Sequence, residues 1–343
     1  MAYPGVVEDL RTCAQRGIPT RVPVFALGEE FDVEQYGVDY REYIWSVDKM
    51  VECQLQAVET FDYDWILLHP DDYIELEPLG VTTQGGERIP PAAVSCPPAT
   101  RQTLSELKLP DATKAGRMPV HLEALGGIKS AYGERLVVSG RCAAPFSATA
   151  LLYGLDKALM LLLDDEKLFR DTCEFFVALM SEWGVAQIQA GADAIWLGDC
   201  VASSGFCSPQ HYADFAVEPA YEVSEAVKAA GGTVIYHAGD HSLPHLEIGA
   251  HYFDIINVGE GIDMVAAKAA IGSQVCLSGN AHPIKLMNCQ SRDEVAAETA
   301  RIVEAGKPGG GYIFNTGEGI PRQVHPDVVR TMVRTAKERG VYS

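Results

Sequence analysis

Two short glycine-rich turns each end an apolar run with a side chain able to do chemistry: His237 in TVIYHAGDH and Glu318 in YIFNTGEG. A histidine and a carboxylate are groups that bind a divalent cation or move protons. Residues of the same kinds follow other apolar runs: Glu29 and Glu30; His69, Asp71 and Asp72; Arg141; Asp199 and Cys200; Asp240 and His241; Glu260; Asn280 and His282; and Asn315. Their linear spacing does not unite them. Only a fold that gathers the ends of many strands in one place would. Each also has an ordinary role, since an acidic residue after a strand caps the next helix and a lone histidine is commonly a hydrogen-bonded structural group. His245 and His251 fall on a helical stretch and read as surface groups.

The elements that must position these groups are read from hydrophobic patterning. Eight short runs read as strands: 22–27 (VPVFAL), 65–69 (WILLH), 136–139 (LVVS), 194–197 (AIWL), 233–236 (TVIY), 254–258 (DIINV), 274–278 (QVCLS) and 312–314 (YIF). Continuous apolar runs, rather than strict alternation, suit parallel strands buried on both faces. Helical patterns fall between them. Residues 211–230 are amphipathic and stop at Gly231-Gly232, and the last helix is expected over 326–339, with Pro326 in its first turn. Ser291-Arg-Asp-Glu294 reads as a capping box that opens a helix ending near Gly306. This alternation predicts an α/β fold, a single (β/α)8 barrel domain over 1–343, with an N-terminal helical extension. Residues 73–134 exceed what one βα unit needs and predict a long insertion after the second strand. A doubly wound sheet fits less well, because no G-x-G-x-x-G follows the first strand.

In a barrel the active site lies at the C-terminal ends of the strands, which is where the residues above fall. The chain has 343 residues with 27 Lys plus Arg against 47 Asp plus Glu, a formal charge of −20. No basic stripe exists to track phosphates, so no nucleic-acid partner is expected, and an anionic membrane would repel the chain. No run of about 18 apolar residues predicts a membrane span. The first residues lack the apolar core of a signal peptide, and nine scattered cysteines without a C-x-x-C pair read as reduced thiols, so a cytoplasmic location is expected.

Several segments together resemble the uroporphyrinogen decarboxylase superfamily: DWILLHPD with ELEPLG, RCAAPFSATALLYG, GADAIWLGDC, HAGDH, VGEGIDM, VCLSGNAHPIKLM and EAGKPGGGYIFNTGEGIP. The resemblance spans most of the chain and implies a (β/α)8 barrel. Within it the chain looks closer to the cobalamin-dependent methyltransferases than to the decarboxylases. The decarboxylases hold a tetrapyrrole's carboxylates with an N-terminal arginine-rich motif. Here FALGEEFD puts Glu29 and Glu30 there, and Glu318 replaces the histidine of the final N-x-G-H-G turn.

Thiol-directed methyltransferases of the family carry a zinc site of the form H-x-C with a further cysteine in the last turn. His237 matches the histidine, while Gly239 and Glu318 stand at the cysteine positions. Losing two thiolates makes the site harder and suits an oxygen-bearing substrate. The resemblance therefore implies transfer of a methyl group from a methoxylated small molecule, an aryl methyl ether above all, to a Co(I) corrinoid, assisted by Zn2+. The chain lacks the D-x-H-x-x-G corrinoid signature, so the corrinoid is expected on a separate partner protein. His237 and Glu318 are the expected metal ligands and catalytic groups, with the third ligand open among Asp240, Cys200 and Asp199. Asp71 is a further catalytic candidate. Trp196, Tyr236, His69, Asn280 and Glu260 are substrate-binding candidates. The alternatives are methyl transfer from methylcobalamin to a thiol or other acceptor, a decarboxylase-like lyase, and a binding protein built on the same fold.

Overall fold

The computed structural model describes residues 3–239 and 242–342. Among them the strands are β1 (Trp65–Leu67), β2 (Thr82–Gln84), β3 (Ala92–Ser95), β4 (Val137–Ala143), β5 (Ala194–Gly198), β6 (Thr233–His237), β7 (Ile255–Asn257), β8 (Cys276–Ser278) and β9 (Tyr312–Ile313). Seven form one parallel sheet in the order β1-β4-β5-β6-β7-β8-β9, while β2 and β3 pair as a separate antiparallel hairpin. Helices lie between successive parallel strands, as the connection between parallel neighbours requires.

The expected first strand, residues 22–27, is an arm rather than a regular strand. Parallel bridges join Val24 to Phe314 and Phe25 to Trp65, closing the sheet into a ring between β9 and β1. Pro23 has no N–H to give to a ladder, although its carbonyl accepts from Phe314 at 3.0 Å. At the other end, Leu27 N–H donates to the Thr316 hydroxyl instead of to a backbone carbonyl. The result is the expected (β/α)8 barrel, with its eighth strand reduced to these contacts.

Alternation along the strands sorts the side chains. Phe25, Trp65, Leu67, Val137, Trp196, Ile235, Ile255, Cys276 and Ile313 fill one buried cluster inside the ring. Phe25 stacks on Trp65 with ring centroids 4.7 Å apart. Helix Val6–Ala14, the expected N-terminal extension, adds Val6, Val7, Leu10 and Cys13 to that same cluster. The alternate residues, such as Ile66, Val138, Leu197 and Tyr236, face out into the larger core beneath the helices.

The insertion after β1 holds the hairpin and helix Arg101–Glu106, then leads into helix Met118–Tyr132. The expected helix start is present: Ser291 Oγ accepts from Glu294 N–H, while the Glu294 carboxylate reaches one residue further back, to Gln290 N–H, rather than to Ser291 N–H. The last helix runs Pro326–Arg339. The 211–230 segment is helical with a π turn over Tyr212–Ala216. His245 departs from its expected surface position: it is buried, accepting from or donating to Ser242 Oγ at 2.6 Å and bonded to the Cys207 carbonyl. No single helix among the described residues is long and apolar enough to cross a membrane.

Candidate active site

A cavity of about 250 Å³ opens at the C-terminal ends of the parallel strands. Its titratable and charged lining includes Glu29, His69, Asp72, Arg141, His237 and Glu318, with Ser147 also at the wall. Trp196, Leu27, Leu151 and Val201 supply apolar wall, and Cys200 lies beside them. Trp196 packs against the His237 ring with centroids 4.8 Å apart and the planes tilted by 32°.

His237 sits at the inward-facing end of β6, and its ring is oriented by a chain of amides. Gly317 N–H donates to Asn315 Oδ1 at 2.8 Å, and a backbone donor cannot be reversed. Asn315 therefore donates through Nδ2 to Ser278 Oγ, and Asn257 Nδ2 donates to Asn315 Oδ1. That leaves Asn257 Oδ1 facing His237 Nδ1 at 3.0 Å, where it can only accept. The proton of a neutral His237 is on Nδ1, and the Nε2 lone pair is free. Glu318 Oε1 stands 3.5 Å from Nε2, beyond hydrogen-bond length. A tetrahedral zinc bonded to both at about 2.0–2.2 Å would set them roughly 3.4 Å apart.

Next to this pair, Glu260 Oε2 is buried with no hydrogen-bond partner and packs against the same turn, where a Cβ on Gly317 would lie 3.5 Å away. The His237–Glu318 spacing alone is compatible with a cation held between the two. The second donor oriented by an outer partner is also the arrangement that metal-binding histidines favour. Among the described residues, however, no three His, Cys, Asp or Glu side chains cluster closely enough to complete a site. Asp240 lies outside the described residues.

Opposite stands a charged wall. His69 Nδ1 lies 3.2 Å from Glu29 Oε1 and its Nε2 lies 3.2 Å from Asp72 Oδ1. Burial works against a charge on the ring, but the two carboxylates overcome it and push the histidine up to about 9. Arg141 donates to Asp72 at 2.6 Å and to the buried Glu75 at 2.9 Å. Burial would raise the Asp72 carboxyl, yet Arg141 and His69 hold it well below the usual range.

Several expected site residues are placed elsewhere. Asp71 is turned away from the cavity into a buried ion pair with Arg117, which the insertion supplies and which also holds Glu77; Asp72 takes the cavity position instead. Tyr236 points outward, because alternation on β6 puts Ile235 and His237 inside; its ring stacks on Phe253 and its hydroxyl donates to Asp199. Asp199 is fully buried, also accepting from Ser147, and burial raises its carboxyl to about 6. It faces hydroxyls, not His237. Asn280 ties the loop after β7, donating to the carbonyls of Gly259 and Ile262. Cys200 lines the cavity but joins no three-donor cluster. Sequence reading missed Asn257 and Ser278, which strand alternation could have found two residues beyond the inward Ile255 and Cys276.

A barrel whose mouth gathers this set of acids, bases and amides belongs to the class of (β/α)8 enzymes. The uroporphyrinogen decarboxylase (URO-D) family model matches residues 8–339, so the chain belongs to that family and is an enzyme of that superfamily. It is similar to the uroporphyrinogen decarboxylases of Chlorobium luteolum (26% identical over 308 residues, 84% of each chain) and of Roseiflexus sp. (27% over 322 residues, 89% of this chain and 88% of that one). Among solved structures it resembles a methyltransferase from Methanosarcina mazei, with a TM-score of 0.89 at 20% identity, covering 98% of this chain and 99% of that one.

Proposed function

We propose that the protein transfers a methyl group from a methoxylated small molecule, an aryl methyl ether above all, to a Co(I) corrinoid carried on a partner protein. The observation that carries this reading is the 3.5 Å gap between the His237 Nε2 lone pair and the Glu318 carboxylate, a place for a cation facing a substrate oxygen. His237 and Glu318 would hold Zn2+, with Cys200 and Asp240 as candidates to complete the set. Bound zinc would supply Lewis acidity toward the ether oxygen. The likeness to the methyltransferase fold supports the methyl-transfer class.

The chain's own residues do the rest. The amide chain through Asn257 and Asn315 keeps the His237 lone pair aimed at the cavity. Trp196 offers an aromatic wall, and Leu27, Leu151 and Val201 keep water away from the reacting oxygen. Size also favours a single ring: a cavity of about 150 Å³ holds benzene, so 250 Å³ suits one substituted ring rather than four linked pyrroles. The three carboxylates of the lining, Glu29, Asp72 and Glu318, outnumber the cations Arg141 and His69, so the cavity has no cationic surplus for a polycarboxylate.

The names of the curated relatives favour a second reading, decarboxylation of a carboxylated substrate. The test is to offer methoxylated arenes to the purified protein with a reduced corrinoid protein, following the corrinoid spectrum and metal content together. Methyl transfer with stoichiometric zinc, both lost in His237→Ala, is expected. Carbon dioxide release without any methyl transfer would replace this reading with the lyase.

A further inference from the structure

We propose that His69 is the proton donor of this cavity: an imidazolium held between Glu29 and Asp72 that protonates the oxygen from which the methyl group departs. This role rests on the ether-cleaving reading above. Its basis is geometric. Each ring nitrogen lies 3.2 Å from a carboxylate oxygen, and an ionised carboxylate only accepts hydrogen bonds. A neutral imidazole has one N–H and satisfies one of them; satisfying both requires both ring protons. Asp72 is kept ionised by Arg141, which donates to the same Oδ1 at 2.6 Å.

The groups facing the ring come from every side. Glu29 opens helix Glu29–Tyr36, Asp72 follows β1, Arg141 stands on β4, and His121 lies behind on helix Met118–Tyr132. His121 is buried, bonded to Gln187, and pushed down to about 4 by burial, so it stays neutral and adds no competing charge. Glu318 lines the same cavity from the loop after β9. Against burial and Arg141, Glu29 and Asp72 raise His69 to about 9.

That value matches the task. A phenolic oxygen holds its proton with a pKa of about 10, so a departing phenolate can take the proton from the His69 imidazolium, which stays charged at neutral pH. The step balances. The methyl C–O bond breaks with both electrons left on oxygen, and the methyl carbon is taken by the partner's reduced corrinoid as nucleophile. The substrate oxygen displaces Asp72, the more exposed of the two carboxylates, from Nε2, and that ring proton passes to it. The products are a neutral phenol and a neutral imidazole that regains its proton from water at the cavity mouth.

The test has two arms. On the enzyme alone, 15N-resolved NMR across pH 6–11 should show one histidine titrating near 9, absent in His69→Gln and moved to lower pH in Glu29→Gln. No histidine titrating above pH 8 overturns the imidazolium. In turnover, methyl ethers of graded leaving-group acidity are compared. His69→Gln should lose roughly 10²–10⁴-fold with a plain phenyl or alkyl ether and approach wild-type rates with a nitrophenyl ether, whose oxygen leaves unaided. An equal loss across the series assigns His69 to a structural role and overturns the proposal. If His69→Gln does not fold, Glu29→Gln must lower the alkaline limb of the wild-type kcat/KM profile, and an unmoved limb overturns it. No turnover of any ether by the wild type sinks the methyl-transfer reading and this role with it, and the NMR arm still reports the proton count on His69.

Discussion

His69 and His237 face one cavity from opposite walls, and their partners make them different reagents. His69 has a carboxylate at each nitrogen, 3.2 Å away on both sides, and is a cation. His237 has an amide oxygen at Nδ1 and keeps an open lone pair at Nε2. A carboxylate partner adds a proton to the ring; an amide partner fixes its tautomer without adding charge. One wall therefore builds an acid and the other a ligand from the same residue. The walls also differ in what supports them. Behind His69 stand two buried guanidiniums, Arg141 on Asp72 and Glu75, and Arg117 on Asp71 and Glu77. Among the described residues, the groups that orient His237 are neutral amides and a hydroxyl, Asn257, Asn315 and Ser278.

The sharpest break of this comparison is to strip a guanidinium from the charged wall. Arg141→Leu leaves Glu75 buried and uncompensated, and Arg117→Leu does the same to Asp71. Each is expected to lower stability by about 3–5 kcal/mol, read as a fall in the urea midpoint. A loss below about 1 kcal/mol would mean that the wall is not held by its ion pairs.

A pH scan separates the walls next. The folded value of His69, about 9, lies above the roughly 6.5 of an unfolded chain, so its stabilisation is whole below pH 6.5 and is lost as pH rises through 9. The difference in urea midpoint between wild type and His69→Gln should therefore be largest near pH 6, up to about 3 kcal/mol, and close by pH 10. His121 runs the other way: held near 4, it stabilises above pH 6.5 and that contribution fades as pH falls through 4. A gap at His69 that does not change with pH would remove the imidazolium from the comparison.

On the amide wall the expected effect is on metal rather than on folding. Asn257→Leu frees the His237 tautomer and should weaken zinc binding about 10–100-fold, measured by competition with a chromogenic chelator. Unchanged affinity would show that the amide chain does not orient the ligand.

The barrel itself was legible because its strands are short continuous apolar runs, and those runs mark buried parallel strands whatever the helices do. The arm at 22–27 was less so, because Pro23 and the Thr316 hydroxyl break its ladder without breaking the apolar pattern. His237 and Glu318 stood out through the glycines around them. Tyr236 and Asn257 show what the list of strand-end polar residues lacked, namely parity. Counting in twos from the inward Ile235 and Ile255 selects His237 and Asn257 and rejects Tyr236. Asp71 was not recoverable in this way, since its partner Arg117 enters from the insertion 46 residues later, a contact that no local pattern encodes.

The smallest expected effect concerns a strap that touches both walls. In the hairpin loop, Arg88 pairs through its side chain with Glu34, on the helix that Glu29 opens, while its carbonyl accepts from Arg322 at 2.6 Å, in the loop that follows Glu318. The neighbouring Glu87 carbonyl accepts from Tyr40 N–H at 2.8 Å. The Arg88 guanidinium is largely exposed, so its ion pair sits in high dielectric and is screened by salt. Arg88→Ala is expected to lower stability by less than about 1 kcal/mol, and the difference should vanish at 1 M salt. A loss of more than about 2 kcal/mol would mean that the strap, and not the buried guanidiniums, holds the two walls at their present spacing. The contrast between a charged wall and an amide wall would then be a consequence of the insertion rather than of the barrel.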